Sequence, residues 1–141
     1  MFRSIGAVFL GYLTSFVIIS ALAVVLALLI SGRLPDPDVP EGPLTTRLCL
    51  AYVVIGFLSA TLSGYVTAWV ARRAEVGHAL VLTGIMSGLG ALYFLSRLNA
   101  EARPEPVWYL VTNLLLPLVS VPLGGWLRAR HVARRGLGGE A

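Results

Sequence analysis

Apolar positions in this chain neither alternate nor recur every third or fourth residue; they run on without interruption. Four such runs stand out, at about 5–30, 48–70, 76–95 and 107–127, and none contains an Asp, Glu, Lys or Arg. Each is close to the roughly 20 apolar residues that a helix needs to cross a bilayer. Barrel strands would instead show short alternating segments. The pattern predicts an all-α fold: an integral membrane four-helix bundle forming a single domain over residues 1–141. Arg3 ahead of the first run imitates a secretory signal, but the run far exceeds the 7–15 apolar residues of a signal core, so a retained helix is expected.

Composition strengthens this picture. Of 141 residues 57% are hydrophobic and 13% charged, about half the charge of a soluble domain. All eleven basic residues are arginine, as in proteins of G+C-rich genomes, and a bacterial inner (plasma) membrane is the expected location. Cys49 is the only cysteine, which excludes an internal disulfide and a multi-cysteine metal cluster.

Charge sets the orientation. Seven arginines (Arg3, Arg72, Arg73, Arg128, Arg130, Arg134, Arg135) fall at one end of the bundle and four (Arg33, Arg47, Arg97, Arg103) at the other. The richer end is expected in the cytoplasm, with both termini. Adding the acids gives +5 at that end and −1 at the other. Trp69 and Trp126, and Tyr52, Tyr93, Trp108 and Tyr109, fall near the span borders, where amphipathic rings prefer to sit.

Helices in lipid associate through close packing more than through hydrophobic drive, so small residues mark their contact faces. Gly56, Ala60, Gly64 and Ala68 recur every fourth residue in the second span, beside Ser59, Ser63 and Thr67; the third span carries Gly84 and Gly88. The short 71–75 connection predicts that these two spans form an antiparallel hairpin packed through those faces. Pro117 and Pro122 are expected to bend the fourth span. Asn113 is expected to bond a neighbouring helix or a freed carbonyl. In the outer segments, Thr45 or Thr46 is placed to cap the second helix, and Pro106 suits the first turn of the fourth. The prolines at 35, 37, 40 and 43 favour an extended path.

Candidate chemistry is sparse. His78, just inside the third span, is read as an interfacial residue ahead of a pigment or haem ligand. No His or acid is placed to activate a serine, and no glycine-rich phosphate loop or metal cluster is present, so no enzyme, resident cofactor or metal is expected. The cluster Arg128, Arg130, Arg134, Arg135 in the basic tail 128–141 is read as a contact for anionic lipid or an acidic partner; nucleic acid is not expected.

The segment from Ser63 to Gly90, with Gly64 and Tyr65, Arg72 and Arg73, then His78, resembles a cytoplasmic hairpin common in small four-span bacterial membrane proteins. That resemblance implies the topology and carries no activity. The chain lacks the first-span acid of small multidrug transporters and the arginine and glycine motif of small fluoride channels. The expected role is a non-catalytic subunit or accessory protein packed with other membrane subunits or with copies of itself. A small oligomeric transporter or channel comes second, and a pigment- or haem-associated subunit third.

Overall fold

The computed structural model describes residues 2–31, 45–71, 75–98 and 105–137. They form four helices: α1 (Phe2–Ser31), α2 (Thr46–Ala71), α3 (Glu75–Leu98) and α4 (Val107–Leu137), with no strand among the described residues. Each is long and apolar enough to cross a bilayer, and the chain is an all-α, multi-pass membrane bundle. The extended path expected of the proline-rich outer segment, and Arg72 and Arg73, lie outside the described residues.

Local signals set several borders. Thr45 caps α2: its Oγ1 accepts from the Leu48 amide at 3.4 Å and its carbonyl from the Cys49 amide at 3.0 Å, satisfying donors that a helix start leaves open. The Pro106 carbonyl accepts from the Tyr109 and Leu110 amides, opening α4. Expectation and structure part at the other end of α4. The helix, with Pro117 and Pro122 inside it, does not end near Leu127 but continues to Leu137. Much of the basic tail is therefore helical. A helix has no need to stop where the lipid does, and this stretch of Arg, Ala and Val holds no glycine or proline before Gly136.

The helices pack in the cyclic order α1, α2, α4, α3, with α2 and α4 sharing the largest interface and α1 and α4 not meeting. The chain runs alternately up and down, so this central pair is parallel. The small face of α2 is indeed a packing face: Ser59, Ala60, Ser63, Gly64, Thr67 and Ala68 are all buried. Its main partners are α4 and α1, rather than the sequence neighbour α3, which lies across the diagonal. A Cβ added to Gly64 would strike the Val121 carbonyl, and one added to Gly124 would strike the Thr61 carbonyl and the Tyr65 amide. These two backbones meet with nothing but hydrogen between them. On the other side, a Cβ at Gly11 of α1 would collide with the Thr67 hydroxyl and crowd the Ser63 carbonyl.

Gly84 and Gly88 do not take part. Both are exposed, with no atom within 4 Å of where a Cβ would stand. The third helix instead turns Ala79, Leu82 and Met86 inward, where they join Ala60, Val121, Val8 and Leu116 in the core. Leu82 fills the space that a diagonal pairing leaves open, which a glycine could not do. Elsewhere the surface is apolar. Only 6% of the α1 span is buried and Leu29 is 79% exposed, an arrangement stable only with lipid or protein around it.

Candidate functional site

Polar groups of the bundle and its two ends fall into three sets. The first is the hydroxyl row of α2 and its neighbours. Ser59 Oγ donates to the Gly56 carbonyl at 3.1 Å, Thr67 Oγ1 to Ser63 at 2.9 Å, Thr83 Oγ1 to Ala79 at 2.9 Å and Ser120 Oγ to Leu116 at 2.7 Å. These bonds return to the same helix, the usual way a hydroxyl is satisfied in lipid. Ser15 and Ser63 are buried with hydroxyls that have no hydrogen-bond partner. Asn113 follows the same habit: its Nδ2 donates to the Tyr109 carbonyl at 3.0 Å, within α4 rather than to a neighbouring helix.

The second set lies at the end of the bundle away from the arginine cluster. Glu105, one residue ahead of Pro106, is only 8% exposed. Tyr93 Oη donates to its Oε1 at 2.8 Å, Arg97 reaches the same oxygen at 3.4 Å, and Arg97 Nε donates to Tyr93 Oη at 3.2 Å. The guanidinium also sits over the Tyr93 ring, 5.2 Å from its centre. Glu105 Oε2 is buried with no partner. Tyr109 stands nearby, with Cys49, Tyr52 and Tyr93 in electrostatic reach of its hydroxyl. Chemically this is a clasp: one carboxylate, two donors from the last turns of α3, and one oxygen to spare. In the sequence Glu105 enters only as one of the acids at the arginine-poor end, with nothing to mark it as buried. No sequence signal marks it, because a single residue ahead of a helix start belongs to no periodic pattern.

No family model, curated protein or solved structure matches the chain. Function must therefore be argued from these side chains.

The third set is at the arginine-rich end. Arg128, expected to reach lipid or a partner, is half-buried; its guanidinium lies 5.9 Å from the Tyr65 ring centre on α2, and its Nε is buried without a hydrogen-bond partner. Arg130 lies over Trp126 at 5.1 Å and is exposed, as are His131 and Arg134. With Leu127 these three line a shallow cleft of about 330 Å³. Arg135 belongs to α4, but its side chain lies outside the described residues. His78 lines a different feature, an almost wholly apolar groove of about 630 Å³ between α1 and α3, with Ile5, Val8, Phe9, Tyr12 and Val81 among its other walls. No group of three or more metal-ligating side chains occurs among the described residues.

Proposed function

We propose that the protein is a non-catalytic subunit of a larger membrane complex in a bacterial plasma membrane, with both termini cytoplasmic. One observation supports this above others. Gly84 and Gly88, spaced by one turn, face outward from α3 with open space above them, although small residues at that spacing serve helix association in lipid. Glycine costs helix stability relative to alanine, by about 1 kcal/mol, and here nothing within the bundle offsets that cost. A second helix laid across this face would.

The test is a photo-crosslinker at Leu80, exposed one turn ahead of Gly84 on α3 and outside the groove that His78 lines, with purification in mild detergent. A defined membrane partner should be captured, and Gly84→Leu with Gly88→Leu should abolish capture while leaving the bundle folded. A bare monomer from native membranes, with no crosslink, overturns the proposal.

A second reading, a small oligomeric transporter, draws on Glu105, because a buried carboxylate with a free oxygen is what a cation path uses. It calls for cation flux in proteoliposomes that Glu105→Gln removes; flux untouched by that change excludes the residue.

A further inference from the structure

We propose that the groove between α1 and α3 holds one acyl chain of an anionic phospholipid from the leaflet at the arginine-rich end, with its headgroup beside His78. The two walls run parallel and meet only lightly, so a furrow open to the bilayer remains between them. Its wall on α3 runs from His78 to Leu89, a rise of about 16 Å. That is the thickness of one leaflet, half of a hydrocarbon core of about 30 Å. Past Tyr12 on α1 a smaller cleft of about 200 Å³ follows, between Ser15, Phe16 and Ile19 and the same stretch of α3, Met86 and Leu89.

A partner helix would need a face along the full membrane thickness, and the furrow offers half of one. An acyl chain needs this length and this chemistry: Val8, Phe9, Val81 and Ile85 along the walls, and a polar group only where the headgroup begins. That polar group is His78, three residues into α3 at the level of Ile5 on α1. The same end of the bundle carries Arg3 in the first turn of α1 and Arg128, Arg130, Arg134 and Arg135 in the last turns of α4. A negative headgroup is attracted there by about 1 kcal/mol for each basic residue close to the surface. The opposite lipid-facing cleft, about 480 Å³ between α2 and α4, is lined by Val53, Leu58, Leu115 and Val119 and has no titratable residue in its lining. It serves as an internal control.

The experiment is native mass spectrometry of the detergent-solubilised protein after exposure to vesicles of phosphatidylglycerol or of phosphatidylcholine. Wild type should retain one phosphatidylglycerol per chain, with less phosphatidylcholine. Val81→Trp or Ile85→Trp, both at exposed positions that fill the furrow without entering the core, should lower retention by about tenfold, whereas Leu115→Trp in the control cleft should not. His78→Ala should keep the chain bound and reduce the preference for the anionic headgroup. No retained lipid, equal loss from Leu115→Trp, or a dimer that seals the furrow with a second copy would each overturn the proposal.

Discussion

Gly64 and Tyr65 show how two adjacent residues can do opposite kinds of work. Gly64 removes a side chain so that α4 can lie on the backbone of α2, while Tyr65 supplies a ring that the Arg128 guanidinium covers. Contacts of cation and ring are worth about 0.5–1 kcal/mol when exposed and more when desolvated, so this pair pins the two helices in register just beyond their closest approach. Replacing Gly64 or Gly124 by leucine forces a side chain into a carbonyl. Each change should destabilise the bundle by about 3 kcal/mol, the upper end for overpacking. Gly84→Leu, with nothing above it, should leave stability unchanged or slightly raised. Denaturation in mixed detergent micelles, followed by circular dichroism, reads the difference; equal losses at all three positions would falsify the packing order. That Gly64 packs was legible in the sequence. Which helix it packs on was not, because a row of small residues records close approach and nothing about the partner's identity.

At the level of elements, α3 and α4 are held by unlike means near the middle and at one end. Near the middle Gly90 of α3 lies against Leu114 of α4. At the end away from the arginine cluster, Tyr93 and Arg97 of α3 clasp Glu105 at the threshold of α4. The Arg97 side chain is 38% exposed and that of Glu105 7%, so solvent weakens the ion pair itself, while the buried carboxylate depends on its donors. Arg97→Ala removes the cationic partner and leaves that carboxylate with Tyr93 as its donor, and should cost about 1–3 kcal/mol, the scale for an under-satisfied buried polar group. Glu105→Gln keeps an oxygen for Tyr93 and should cost less; thermal unfolding in detergent ranks the two. The spans themselves were readable from hydropathy, within a few residues at most borders. Glu105 was not, because burial at a helix threshold leaves no periodic trace. The helical extension beyond Leu127 was missed for a related reason: hydropathy marks where lipid ends, and a charged, alanine-containing stretch continues the helix into water.

For the whole molecule, the order α1, α2, α4, α3 makes a distinctive connectivity. A simple ring of sequence neighbours would place α4 beside α1, and here those two do not meet. In a Cys49→Ser background, Leu58→Cys with Val119→Cys, which share a cleft between α2 and α4, should be joined by a short bifunctional thiol reagent. Leu13→Cys with Val119→Cys should not, and efficient linkage of that pair would contradict the arrangement. α4 itself, at 31 residues, extends about 46 Å against a hydrocarbon core of about 30 Å. Its last turns therefore stand clear of the lipid and carry Arg130, His131 and Arg134 with them.

The parallel seating of α4 on α2 also sets a timetable for biogenesis. The glycine face of α2 enters the membrane long before its principal partner has been made, and at about 5–20 residues per second the ribosome needs several seconds to reach the end of α4. During that interval the carbonyls and buried hydroxyls around Gly64 are covered only by α1, by lipid, or by whatever insertion factor waits beside them. The last helix is then the keystone of assembly, and any lesion that delays or truncates it leaves the earlier three as an open, quality-control-sensitive intermediate.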